Sequence, residues 1–170
     1  MTKREFLNMA VSELGGLAAS TIPVKATPTK GKVGAAGVTF HWQHRDGQLW
    51  ANLAAPTSGW IAVGFNDTPT LQGTRFVIAA VSHSPIRVEE HIALVPEHRE
   101  VSTLGLPPAI LTSHGFYQYG VSRLEFALPE VIPQSLDLRP GTNTHLMLAW
   151  SQEIDFDHHS AWRRHFNITL

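Results

Sequence analysis

From Ala36 onward, apolar and polar side chains alternate, and turn residues interrupt the alternation at short intervals. Period-two alternation puts successive side chains on opposite faces of a sheet, so this pattern commits the chain to strands. Val38, Phe40 and Trp42 alternate with Thr39, His41 and Gln43. Asp46-Gly47 follows, a hairpin dipeptide, and Leu49, Ala51 and Leu53 mark the return strand. Pro56-Thr57-Ser58-Gly59 is the next turn, and Trp60 to Phe65 a strand with Ile61, Val63 and Phe65 on one face. Thr74 to His83 is a further strand. Its run from Phe76 to Val81 is apolar on both faces, which predicts a central position. Ile86–Val95, Val121–Leu128, Asn143–Ser151 and Ala161–Leu170 complete the set. Pro96–Ser113 and Pro129–Gly141 read as loops, the first long enough to suggest a functional role. No helix is expected in this part of the chain. Short strands at this spacing predict an all-β antiparallel sandwich or barrel.

Composition narrows the chemistry. A chain of 170 residues with 43% hydrophobic content suits one packed core. The formal net charge of -1, without blocks of like charge, argues against a nucleic-acid partner. The absence of cysteine excludes disulfides, thiolate zinc sites, iron–sulfur clusters and c-type haem attachment. No apolar run approaches the roughly 18 residues of a transmembrane helix. Ten histidines supply metal-ligand candidates.

The N-terminus reads Thr2-Lys3-Arg4-Glu5-Phe6-Leu7 and is similar to a twin-arginine export signal with lysine in the first basic place. A mildly apolar stretch runs from Met9 to Ile22, and Val24-Lys25-Ala26 is a small-x-small cleavage pattern. The expected organisation is a signal peptide over 1–26, a linker over 27–35 and the β-domain over 36–170, in a periplasmic or extracellular protein. The alternative for the leader is an amphipathic helix from Glu5 to Ala19.

Several segments together carry a family resemblance. Gly59-Trp60-Ile61-Ala62-Val63-Gly64-Phe65-Asn66 resembles the Gly-Trp strand of DOMON domains. Leu71-Gln72-Gly73-Thr74-Arg75-Phe76 resembles the element that follows it. Ser122–Leu128, Leu146–Ser151, Asp155-Phe156-Asp157-His158-His159, Arg163 and Phe166–Leu170 resemble the later strands and the acidic turn before the last one. The resemblance runs in order over about residues 36 to 170. It implies an immunoglobulin-like DOMON antiparallel β-sandwich of about eight to ten strands. It also implies haem b at one end of the sandwich between a Met and a His, or a sugar in haem-free relatives, and a redox partner protein.

Carried across residue by residue, the family's histidine falls on His159, or one residue earlier on His158. An aspartate nearby would orient the imidazole. The family's methionine falls on Leu71, which has no lone pair to offer. The resemblance then leaves three readings open. The haem is five-coordinate; or His83, His91 or His98 replaces the methionine; or the pocket holds something else. Trp60 and Trp162 are the cofactor-wall candidates, although Trp60 also reads as core, and Trp42 is a further candidate beside an end pocket. Met147 reads as a packing residue, His145 and His165 as solvent-face residues, and Phe116, Tyr117 and Tyr119 as an exposed cluster. No nucleophile elbow, zinc helix or phosphate loop is present, so any redox chemistry would be the cofactor's.

Overall fold

The structure, a computed structural model, describes residues 29–170. The expected export signal and its cleavage site lie outside the described residues. The strands in chain order are β1 (Lys30–Ala35), β2 (Val38–Arg45), β3 (Gln48–Ala55), β4 (Trp60–Asn66), β5 (Arg75–Ala80), β6 (Arg87–Ala93) and β7 (His98–Glu100). A short 3-10 turn over Val101–Leu104 leads into β8 (Thr112–Gln118) and β9 (Val121–Pro129). The chain ends with β10 (Val131–Ile132), β11 (Leu136–Asp137), β12 (Asn143–Trp150) and β13 (Trp162–Thr169).

Two antiparallel sheets result. One has five strands in the order β1-β2-β3-β9-β8, and the other has six in the order β13-β12-β4-β5-β6-β7. β10 and β11 form a separate small hairpin. The core lies between the two large sheets and takes the residues that the alternation assigned to one face. These include Phe40, Leu53, Ile61, Val63, Phe65, Leu124, Phe126 and Leu148, all nearly or fully buried. Phe40 of the first sheet meets Phe65 of the second edge-on, with ring centroids 6.0 Å apart. The antiparallel sandwich is thus as expected, and β5 is central with every residue buried.

Several boundaries differ from the sequence reading. Residues 30–35 are not linker but edge strand β1, paired with β2 from Lys30↔Gln43 to Ala35↔Val38. Their inward face is only Gly31, Val33 and Ala35, half-buried with Val33 against the core, and backbone hydrogen bonds to β2 hold the strand in place. The turn that joins them is Ala36-Gly37, with both φ angles positive (50° and 80°). Tyr119-Gly120 (51° and 79°) joins β8 to β9 in the same way. Both have the backbone of the Asp46-Gly47 hairpin without its sequence signature. The segment read as a long loop over 96–113 contains β7 and the 3-10 turn. Its tail is anchored by a buried ion pair: Arg75 Nε donates to Glu90 Oε2 at 2.7 Å. Glu90 Oε1 accepts from the backbone N–H groups of Ala109 and Ile110, and Arg75 donates to the Pro107 carbonyl at 3.1 Å.

Candidate functional site

Both faces of the six-stranded sheet are covered at its centre. In β4 and β5 every residue is buried, yet only alternate ones face the core. The others, Trp60, Ala62, Phe76 and Ile78, join Met147, Ala149 and Ala93 in a second apolar cluster on the outer face. Small side chains in the middle of that cluster leave a depression between bulkier walls. It is a cavity of about 440 Å³, within the range of pockets that hold a small molecule.

The roof is the connection from β12 to β13. Its two ends meet, since the Ala161 N–H donates to the Trp150 carbonyl at 2.8 Å, so the loop leaves the sheet and returns at one place. Gly59 permits the departure: a Cβ there would lie 2.2 Å from the Ser151 carbonyl oxygen. Backbone bonds from Ser151 to Trp60 (3.0 Å) and from Trp60 to Glu153 (2.8 Å) hold the loop's first turn on β4. Farther along, Phe156 turns down onto the sheet and is 2% exposed. The Arg87 guanidinium lies 4.1 Å from its ring centroid, and His91 approaches it edge-on at 5.9 Å. This anchor holds Asp157, His158 and His159 over the cavity, which all three line.

One side wall carries a hydrogen-bonded chain. His91 Nε2 lies 2.9 Å from Glu89 Oε2, and His91 Nδ1 lies 2.9 Å from His98 Nδ1. Both ring nitrogens of His91 are therefore engaged. Burial would raise the Glu89 carboxyl, but hydrogen bonds from His91 and Arg87 outweigh it and hold Glu89 below its ordinary value. Burial pushes His98 down, and neighbouring His91 adds to the effect. The Phe156 carbonyl and the Asp157 carboxylate offset this only in part, so His98 favours its neutral form.

The structure gathers residues that lie far apart in the chain. Leu71, Trp60, His91, His98, His158 and His159 all line this cavity. His83 does not. It is on an exposed turn beyond β5, with Nδ1 2.8 Å from the Ser82 hydroxyl. Trp162 is also outside, packed half-buried against the core between the sheets. It pairs with Trp150 across β12 and β13 on the core face, and period two fixes that direction. Trp42 is likewise a core residue. The pocket's location differs too: it lies over the outer face of one sheet, because the space between the sheets is filled. Met147, read as a packing residue, both packs in the outer cluster and lines the cavity floor. Arg163, part of the family resemblance, lines the rim. The signal for this site was the unbroken apolar run of residues 76–81, which requires cover on both faces.

The donor set and lining fit a haem. The floor is apolar, the rim carries imidazoles, and Arg163 is placed to meet an anionic substituent. The buried Trp60 Nε1 has no hydrogen-bond partner among the described residues, so the wall keeps a free donor. No group of three or more His, Asp or Glu side chains able to hold a metal ion occurs among the described residues. No helix there is long and apolar enough to cross a membrane.

No family model and no curated protein sequence matches the chain. Solved structures do. The chain is similar to the cytochrome b domain of pyranose dehydrogenase from Coprinopsis cinerea, with TM-score 0.56 and 8% identity, covering 78% of this chain and 76% of that one. It is also similar to the cytochrome domain of Myriococcum thermophilum cellobiose dehydrogenase, with TM-score 0.53 and 8% identity, covering 83% of this chain and 81% of that one. At this identity the likeness establishes a shared fold.

Proposed function

We propose that the cavity over the six-stranded sheet binds haem b, and that the chain is a b-type haem domain serving electron transfer or small-ligand sensing outside the cytoplasm. The observation that carries this reading is a convergence. Leu71 and the His158-His159 turn, the two positions matched to the family's ligands, are more than eighty residues apart and line one apolar cavity. The likeness to two cytochrome domains supports the same reading.

In this proposal His159 would hold the haem iron through an imidazole nitrogen, with His158 as the neighbouring alternative. Asp155 Oδ2 lies 3.7 Å from His158 Nδ1, with both side chains exposed. Phe156 and the Gly59 contact fix the loop that presents the imidazoles. Apolar residues of the floor would exclude water from the pocket, and the Arg163 guanidinium would offset the charge of a propionate. Bound haem would supply reversible one-electron chemistry. On the Leu71 side no lone pair is offered, and His91 has committed both its nitrogens. Neither would therefore hold the iron, and the histidine turn would be its main protein anchor. A redox partner protein would be required for electron transfer.

One absorption spectrum tests this. Protein purified from a haem-replete host should show a high-spin Soret band that His159→Ala or His158→Ala removes, and Leu71→Met should convert it to a low-spin form. A Soret band that survives both histidine substitutions refutes the ligand assignment. A low-spin spectrum in the wild type would place His98 or Met147 opposite. Leucine in the methionine position favours a second reading, a haem-free carbohydrate pocket. That reading predicts no visible absorbance after reconstitution and sugar-dependent quenching of tryptophan fluorescence.

A further inference from the structure

Beside the cavity, on the outer face of the six-stranded sheet, two histidines that are not part of the cavity lining meet across β12 and β13. In the β12–β13 pair, His145 lies opposite Asn167, and Met147 lies opposite His165. Period two puts all four on the same face. The two imidazoles meet across the strands. His145 Nε2 is 2.9 Å from His165 Nδ1, with ring centroids 5.1 Å apart and planes inclined by 29°.

Asn167 fixes the tautomer. His145 Nδ1 donates to the Asn167 carbonyl oxygen at 2.8 Å, which leaves the lone pair on Nε2, facing His165. Metal-binding imidazoles are oriented in this way by a partner on the far ring nitrogen. Two nitrogens bound at right angles to one ion, with bonds of roughly 2.05 Å, lie about 2.9 Å apart. The histidine pair already has that spacing. Binding requires His165 to move its ring proton from Nδ1 to Nε2, so that both facing nitrogens offer lone pairs. His165 is exposed and His145 partly so, which leaves room for the ring tilt that makes them converge.

We propose that His145 and His165 form a copper(II) site on the sheet surface, with Asn167 as its positioning residue. Imidazole donors suit several divalent first-row ions, and copper(II) heads their affinity order. Arg163 stands two residues along β13 on the same face, and its charge opposes the cation. The two imidazoles lie outside the cavity lining, whereas Arg163 belongs to it.

The test is titration of copper(II) chloride into the untagged full chain, followed by calorimetry and electron paramagnetic resonance. A single bound equivalent with nitrogen hyperfine structure is expected, with zinc and nickel binding more weakly. His145→Gln and His165→Gln should each abolish it, Asn167→Leu should weaken it about tenfold, and Arg163→Gln should tighten it. His158→Gln, which alters only the cavity, should leave it unchanged. In wild-type protein, bound copper should broaden the NMR signals of His145, His165 and Asn167 first, which reports the site without any substitution. Failure of the wild type to bind, or an undiminished site in the folded His145→Gln/His165→Gln double variant, overturns the proposal.

Discussion

Replacing Phe156 with alanine tests the anchor of the loop that bears His158 and His159. The ring is 2% exposed within the apolar cluster on the outer sheet face. Phe→Ala in a packed site costs about 3–5 kcal/mol, as lost transfer energy plus a cavity. A loop can settle onto the sheet more readily than a strand can, so the lower end applies. The contact with Arg87, 4.1 Å from the ring centroid, adds roughly 0.5–1 kcal/mol. The expected destabilisation is therefore about 3.5–4 kcal/mol. At roughly 2–4 °C per kcal/mol for a domain of this size, Tm should fall by about 7–16 °C. Denaturant unfolding with a two-state fit measures the energy. Amide exchange at residues 157–160 measures whether the loop opens, and haem titration measures whether the pocket suffers with it. Phe116→Ala is the control. Phe116 lies on the exposed edge strand β8 and is 38% accessible, so its loss should change stability by no more than about 0.5 kcal/mol. A Phe156→Ala variant that matches this control, or that unfolds more easily with an unchanged loop and ligand affinity, refutes the anchoring argument.

Two further outcomes follow from the buried and titratable groups. Glu90→Ala leaves the Arg75 guanidinium uncompensated and two backbone N–H groups without their acceptor, so urea unfolding should show a loss of about 3–5 kcal/mol and exchange protection should vanish at Ala109 and Ile110. In metal-free protein, Tm should fall as pH drops through about 6.5, the unfolded histidine value. His98 is held below that value in the fold, so the unfolded chain takes up its proton first and gains stability until the folded pKa is passed. His98→Gln should flatten this part of the profile, and an unchanged slope would remove His98 as its cause.

Alternation at Val38–Trp42, Leu49–Leu53 and Leu124–Leu128 fixed which side chains enter the core, because strand periodicity is a local property of the chain. Asp46-Gly47 announced its hairpin for the same reason, and the apolar run of β5 announced a strand covered on both sides. Local pattern could not show that Lys30–Ala35 is a strand, since its partner holds it through the backbone, or that Ala36-Gly37 and Tyr119-Gly120 are tight turns. Nor could it say what covers the outer face. That depended on lateral register: β12 beside β4, β4 beside β5 and a loop folded back across them. Only these pairings bring Leu71, His91, His98 and His159 to one cavity, send Trp162 and His83 elsewhere, and join His145 to His165. Periodicity assigns a residue to a face, whereas its neighbours on that face are set by hydrogen-bonded partners dozens of residues away.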